Sequence, residues 1–427
     1  MTRVLIFSHT TGYQLRAFND AAERLGIELV FATDRCHKLD DPWQDRAIPV
    51  RFHEPDASLA AIVERAAKEP VAGVIAVGDR PVVLAARAAS ALGLPWHSIA
   101  GAEASADKRR SRAILGAAGL PAPAFFAASV AAPGFQLPAF SSRAPAPAQP
   151  SYPVVLKPVG LSGSRGVIRA NDAREFAQAF ERIRALLARP QVRAARAGLE
   201  DEILVEGYVD GREYALEGVL TGGALRVLAL FDKPDPLEGP YFEETIYVTP
   251  SRLSAAAQAG IVEHVRRASL ALGLSHGPIH AECRVTAEGA VYVLEVAARP
   301  IGGLCSRVLR FEGGLSLEHV LLQHALGQSI APFIREAAAA AVMMIPIPSR
   351  GMYKGVSGEE QARAVPGVTD VRITAKAGQL LETLPEAGSY LGFIFARAAT
   401  PDAAEAAVRT AHLKLAFAVA RELTVHS

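Results

Sequence analysis

The sequence predicts a mixed architecture, α/β over its first hundred residues and α+β beyond them. Two observations carry this. In residues 1–105 short apolar runs alternate with stretches of helical periodicity, the signature of a parallel sheet covered by helices. From Tyr152 onward, strand-like runs are joined by short turns such as Asp210-Gly211 and Thr221-Gly222-Gly223, which suits antiparallel pairing.

Taken in order, "VLIF" (4–7), "ELVFAT" (28–33) and "GVIAVG" (73–78) read as buried strands, with "QLRAFNDAAERLG" and "SLAAIVERAAKEP" as the helices between them. The first strand–helix turn, "SHTTGY", lacks G-x-G-x-x-G, which argues against dinucleotide binding. His9 and Asp79 fall at strand ends that face a crevice. A helix follows from Ser105 to Gly119, with Ser105 as N-cap and Arg109, Arg110 and Arg112 on its polar face. The Pro- and Ala-rich stretch 131–150 cannot bury enough surface to order itself and is expected to be a mobile insert. Strands are expected at "PVVLK", "GVIRA", "EILVEGYV", "REYALEGVL", "LRVLALF", "IHAECRV" and "VYVLEV", and helices at 172–188 and 254–272. The last ninety residues add short strands and an Ala-rich helix over 401–423. The reading gives three parts: 1–105, 106–330 and a small α+β domain, 331–427.

Half of the 427 residues are hydrophobic and the formal net charge is +1. That balance gives no electrostatic case for nucleic acid or an anionic membrane surface. Cys36, Cys283 and Cys305 are scattered, against a disulfide framework or structural zinc and in keeping with a reducing cytoplasm. The N-terminal apolar run is too short for a signal peptide, and Ala337 to Pro348 too short to span a bilayer. A soluble cytoplasmic protein is expected, with homodimerisation left open.

Three motifs carry chemistry. In "YPVVLKPVGLSGSRGV" a strand ends at Lys157, and the loop 160–166, with Ser162, Gly163, Ser164 and Gly166, leaves backbone N–H groups free for phosphate oxygens. The lysine precedes the glycines, so this is not a Walker loop; a flexible hairpin with a surface lysine is the plain alternative. In "EILVEGYVDGREYALEGVL", Glu202, Glu206, Glu213 and Glu217 stand among apolar residues and need donors, which ribose hydroxyls would supply. A solvent-facing row on an edge strand is the alternative, most of all for Glu202. In the hairpin "HAECRV"–"VYVLEVAARPIGG", Glu282 and Glu295 fall near each other on one face. Two close carboxylates repel unless a cation sits between them, and magnesium completed by nucleotide phosphates fits. Arg299, on the following turn, reaches the same phosphates. An acid pair solvated at a sheet edge is the alternative.

Lys108 before a helix, Lys157 with its Gly-rich loop, the Glu-rich strand pair, and Glu282 with Glu295 and Arg299 together resemble the ATP-grasp superfamily, in order and spacing, over residues 1 to about 325. The resemblance implies a Rossmann-like N-terminal domain, an ATP-grasp domain with a mobile Gly-rich lid, and ATP and Mg2+ as cofactors. It implies that Lys108 and Lys157 bind the ATP phosphates beneath the loop, Glu206, Tyr208 and Val209 line the adenine pocket mostly through backbone groups, Glu213 binds ribose, and Glu282 and Glu295 hold magnesium. The C-terminal part, "GVSGEEQARAVPGVTDVRIT" and "GQLLETLPEAGSYLGFIFARAATPDAAEAAVRTAHLKL", is similar to that of L-amino-acid ligases and carnosine-synthase-type enzymes. Glu244, Tyr247, Arg299, Gly302 and Gly303 are then the positions expected at the substrates. Tyr247 stands where such ligases often carry His, and Ala297 where the family usually has Asn.

The implied activity joins a small-molecule carboxylate to an amine through an acyl phosphate, releasing ADP, with Lys157 and Arg299 stabilising the transferring phosphoryl group. Two rivals keep the same nucleotide site. A purine-pathway or carboxylase-type ligase would be told apart by product formed with bicarbonate or a phosphoribosyl substrate. A non-catalytic ATP-binding regulator, motivated by Ala297, would bind ATP and release no ADP.

Overall fold

The structure is a computed structural model that describes residues 1–9, 14–34, 47–130, 151–194, 198–199 and 201–420. The insert 131–150, the turn residues Thr10 to Tyr13, Cys36 and the end of the helix expected to reach residue 423 lie outside the described residues.

Strands β1 (Arg3–Ser8), β2 (Glu28–Thr33), β3 (Ile48–Pro49) and β4 (Gly73–Val77) form a parallel sheet in the order β3-β2-β1-β4. Helices α1 (Leu15–Leu25) and α2 (Pro55–Lys68) supply crossovers, and α3 (Val82–Leu92) follows β4. The strands are buried nearly throughout, as continuous apolar runs demand in a sheet covered on both faces. The expected parallel sheet is present.

Two helices follow, α4 (Ile99–Ala106) and α5 (Lys108–Ala117). This corrects the cap: Ser105 lies inside α4 and its hydroxyl donates to the Ala102 carbonyl, whereas the Asp107 carboxylate accepts the Arg110 N–H and starts α5. An aspartate caps more strongly than a mid-helix serine can, because it satisfies an N–H the helix leaves orphaned. Lys108 is thereby fixed in the first turn.

A second sheet, antiparallel, has the order β5-β8-β6-β7, from β5 (Phe125–Ser129), β6 (Val154–Pro158), β7 (Ile168–Ala170) and β8 (Glu202–Gly207). Helix α6 (Ala173–Leu187), capped by Asp172, packs Phe176, Phe180, Ile183 and Leu187 onto it, and α7 (Pro190–Arg193) follows. The largest sheet is antiparallel in the order β13-β12-β9-β10-β11-β16-β20-β18. It contains β9 (Arg212–Thr221), β10 (Ala224–Asp232), β11 (Ile246–Thr249), β12 (Gly277–Val285) and β13 (Val291–Ala297), with α8 (Ala255–Leu272) across it. After the short hairpin β14 (Arg310–Phe311) and β15 (Leu315–Ser316) and helix α9 (Leu317–Ala325), the chain rejoins this sheet through β16 (Ala339–Ile345). The sheet therefore runs continuously across residue 330.

The remaining elements are β17 (Gly351–Ser357), α10 (Glu359–Arg363), β18 (Val368–Ile373), β19 (Leu380–Leu381), β20 (Gly392–Ala398), α11 (Pro401–His412) and β21 (Ala416–Ala420). The last is a correction. The Ala-rich helix stops at His412, and Ala416–Ala420 instead pairs with β17. Its period-two alternation turns Phe417 and Val419 onto the C-terminal core, and that burial outweighs the helix propensity of alanine.

Candidate active site

One cleft of about 240 Å3 lies where the small antiparallel sheet faces the large one. The small sheet contributes Lys157 at the end of β6, the loop residues Ser162, Gly163 and Ser164, and Glu206 and Tyr208 with Val209 at the end of β8. Helix α5 contributes Lys108, and the large sheet contributes Glu213, Glu282 and Glu295. Glu244, Tyr247, Arg299, Gly302 and Gly303 line the other end. Of the residues expected to hold nucleotide, metal or substrates by resemblance, Gly166 alone does not line this cleft; the weaker candidates His9, Asp79, Glu202 and Glu217 do not line it either. The Gly166 N–H donates to the Pro385 carbonyl at 2.8 Å, and a Cβ there would meet Pro158 Cγ at 2.5 Å, so glycine is required for packing.

The loop is tied down from below. Lys108 Nζ donates to the Leu161 carbonyl at 2.5 Å and lies 4.0 Å from Glu295 Oε2. Gly163 and Ser164 take left-handed backbone, φ 65 and 56, which curls the tip of the loop. Lys157 is ion-paired with Glu206, whose other oxygen accepts from Arg112 Nε at 3.0 Å. Burial pushes the Glu206 carboxyl up, but the charges of Arg112 and Lys157 bring it below the usual carboxylate value. Arg112 is not a surface residue, correcting the reading of the Arg cluster as a polar face. It is 3% exposed and also donates to the carbonyls of Val293 and Leu294, which anchors the strand carrying Glu295.

Backbone positions Tyr208 and Val209 are partly spoken for. Tyr208 N–H donates to Pro153 O at 2.9 Å, and Val209 O accepts from Arg284 at 2.7 Å. The Tyr208 ring lies against two guanidiniums, those of Arg169 at 4.1 Å and Arg284 at 5.1 Å. Glu213 accepts from Lys233 at 2.7 Å and from Arg284 at 3.1 Å.

Glu282 and Glu295 are direct cross-strand partners in the β12–β13 hairpin, with a bulge just after Glu282. Cross-strand side chains on one face lie side by side. Burial raises the Glu282 carboxyl well above its usual value; Lys233 opposes that, while Glu244, Glu213 and Glu295 add to it. A carboxylate so disfavoured gains from a divalent cation beside it, and the Glu282 and Glu295 side chains both stay about a quarter exposed towards the cleft. The donor set fits magnesium, which Glu282 and Glu295 could hold between them.

Arg299 Nε donates to Asp79 Oδ1 at 2.7 Å, which joins the turn after β13 to the end of β4. Burial disfavours the guanidinium charge, but Asp79 together with Glu295 and Glu282 more than offsets this and raises the Arg299 pKa. Asp79 in turn takes a hydrogen bond from Ser162 of the loop. The other strand-end candidate, His9, bonds Asp34 at 2.7 Å and does not line the cleft. Glu217 finds protein donors: its carboxylate accepts the Ile301 N–H at 3.1 Å and lies 3.0 Å from His280 Nδ1. Gln14 Nε2 holds the Ile301 carbonyl at 2.5 Å. The peptide between Arg299 and the two glycines is thus gripped on both sides.

Sequence reasoning missed Asp79 as the partner of Arg299, the buried Lys233, and the apolar end wall of Met344, Tyr390 and Phe393 from the C-terminal part. Lys233 was findable, since a lysine closing the apolar run "LRVLALFD" has nowhere dry to go without anions.

The family model of the ATP-grasp domain matches residues 150–308, that of the ATP-grasp N-terminal domain residues 19–96, and that of L-amino acid ligase C-terminal domain 2 residues 343–420. The chain belongs to the ATP-grasp superfamily and is an ATP-grasp ligase. Within that class it is similar to the L-amino acid ligase of Bacillus licheniformis, at 27% identity and a TM-score of 0.82 over 99% of both chains. It is also 25% identical to alanine–anticapsin ligase of Bacillus subtilis over 66% of this chain and 60% of that one. An uncharacterized protein of Sinorhizobium fredii is 26% identical over 96% of this chain and 82% of its own. No helix among the described residues is long and apolar enough to cross a membrane.

Proposed function

We propose that this ligase joins the carboxylate of one amino-acid-like substrate to the amine of another, forming an amide or peptide bond with release of ADP and phosphate in the cytoplasm. The observation that carries the reading is the single cleft in which Lys108, Lys157 and the Gly-rich loop stand opposite the Glu282–Glu295 pair and Arg299. A substrate carboxylate oxygen attacks the γ-phosphorus of ATP, and ADP leaves. The amine nitrogen then attacks the acyl carbon, loses its proton, and phosphate leaves. No protein nucleophile is needed, so positioning and charge carry the rate.

Lys157, held by Glu206, supports the phosphate chain from the β6 side. Arg299, aimed by Asp79, supports the transferring phosphoryl group and then the tetrahedral oxyanion. Ser162 and its neighbours cover the phosphates with backbone N–H groups and exclude water. Magnesium, when bound by Glu282 and Glu295, neutralises phosphate oxygens as a Lewis acid. The test is an ADP-release screen over amino acids, singly and in pairs, with the nucleotide product identified by chromatography. ADP that depends on a pair of amino acids supports the reading, and AMP as the product ends it.

A further inference from the structure

Lys233 follows β10 and is 6% exposed. Its ammonium donates to Glu213 Oε1 at 2.7 Å and to Glu244 Oε1 at 2.6 Å, and lies 3.6 Å from Glu282 Oε1. These three carboxylates bring one oxygen each within 4.8 Å of the others, the one such grouping of three among the described residues. Oxygens converging in this way are what a hard divalent cation takes as ligands. Here an ammonium contacts all three.

The rest of the cluster is closed by the chain itself. The second oxygen of Glu213 accepts from Arg284, and the second oxygen of Glu244 accepts from the Tyr247 hydroxyl at 2.9 Å. The Tyr247 ring also lies 5.1 Å from the ammonium. Glu282 is the most exposed of the three and reaches the cleft on the side where Glu295 stands across from it. On β13 the next residue on the Glu295 face is Ala297, which is 4% exposed and has no ligand atom. The metal side therefore offers two protein carboxylates, and the other side already holds its cation.

We propose that Lys233 is a resident cation that closes the Glu213–Glu244–Glu282 cluster to metal and leaves the Glu282–Glu295 pair to hold a single divalent ion with the nucleotide. It is a positioning residue, acting through Glu282: it draws one carboxylate oxygen back and leaves the other facing Glu295. A stripped ammonium among three anions is stable only while all three remain, and three anions left without it must take up protons or a metal. The inference rests on the ATP- and magnesium-dependent reading of the cleft and not on which substrates are joined.

Counting Mn2+ by the EPR signal of the free ion, on the full-length protein with and without ADP, tests it. One Mn2+ per ADP-bound protein, and none held without nucleotide, is expected; two per ADP-bound protein would overturn the proposal. Lys233→Met should gain one nucleotide-independent Mn2+ per chain, and Lys233→Arg, which keeps a cation, should gain none. A folded Lys233→Met protein, checked by circular dichroism, with the wild-type count also overturns it, as does a gain in Lys233→Arg. If Lys233→Met does not fold, the wild-type count of one or two decides alone. A protein that counts one Mn2+ with ADP yet joins no amino acids refutes the ligase reading and leaves this inference standing.

Discussion

Asp79 and Arg299 lie 220 residues apart in the chain and meet in a 2.7 Å ion pair at the edge of the cleft. The pair fixes the guanidinium plane, which is what two-point recognition of phosphate oxygens requires and what lysine cannot supply. Arg299→Lys should keep the charge and lose about a hundredfold or more in turnover, in line with the roughly 2–4 kcal/mol of one transition-state contact. Asp79→Asn leaves Arg299 in place but free to swing. It should lower kcat about tenfold, with the KM for ATP little changed, since Asp79 acts through orientation. Steady-state kinetics on both variants checks this, and an active lysine variant would remove Arg299 from the chemistry.

The Glu282–Glu295 pair predicts a split between stability and activity. Either carboxylate replaced by Gln keeps the shape and removes one anion from the cleft. Glu295→Gln should melt close to wild type, and Glu282→Gln, which takes one of three anions from the buried Lys233, should melt lower, while turnover falls by orders of magnitude in both. The rise in melting temperature on adding MgADP, which reports binding to the folded state alone, should shrink in both variants. Chelating the metal with EDTA should shrink it in wild type to the same extent. Near-native magnesium-dependent turnover in Glu295→Gln would refute the assignment.

The lobe that carries the Gly-rich loop is latched, through helix α6, Arg189 and the end of the loop, to the C-terminal part between β19 and β20. Arg182 grips both oxygens of Glu386 at 2.6 and 2.9 Å, Arg189 both oxygens of Glu382 at 2.9 Å, and the Gly166 N–H the Pro385 carbonyl at 2.8 Å. Each half-exposed ion pair stabilises by roughly 0–1 kcal/mol, so the set is worth enough to bias closure and too little to lock it. Glu382→Ala with Glu386→Ala should raise the KM for ATP severalfold and speed protease cleavage near residues 160–166. Exchanging charges, Arg182→Glu with Glu386→Arg, should restore part of both. Unchanged cleavage in the double alanine variant would remove the latch.

The sequence carried these features unevenly. Strand runs such as "VLIF" and the hairpin of Glu282 and Glu295 were legible because period and turn chemistry are local. Arg112 was not: it sits three residues before Leu115 on the buried face of α5, but only its distant partners, Glu206 and the β13 carbonyls, make burial affordable. The Asp79–Arg299 pair and the continuation of the large sheet into β16 both depend on which ends the fold brings together. No periodicity encodes that. The end of the chain misled for the opposite reason, since alanine favours helix locally while pairing with β17 is a long-range gain.

Acid should destabilise the protein through histidines that stay uncharged in the fold. His97 is 2% exposed, and its Nε2 faces the Pro278 carbonyl at 3.0 Å. Burial chiefly, with the nearby charges of His276 and His324, lowers it to about 4 although the Pro278 bond opposes this. His324 stacks on His276 at 4.4 Å and is likewise lowered to about 4, by burial first. The folded pKa values lie below the unfolded one, so between about 6.5 and 4 the unfolded chain binds protons that the native chain refuses. The stability these neutral rings carry is complete above about pH 6.5 and is lost as pH falls towards 4. For His97 alone the loss is on the order of 3 kcal/mol at most, at roughly 1.4 kcal/mol per pKa unit. Urea melts at pH 7, 6 and 5 should show the midpoint falling. His97→Gln, which can still donate to Pro278 but does not titrate, should fall less steeply by up to one proton. A variant whose slope matches wild type would show that His97 is not among the groups responsible.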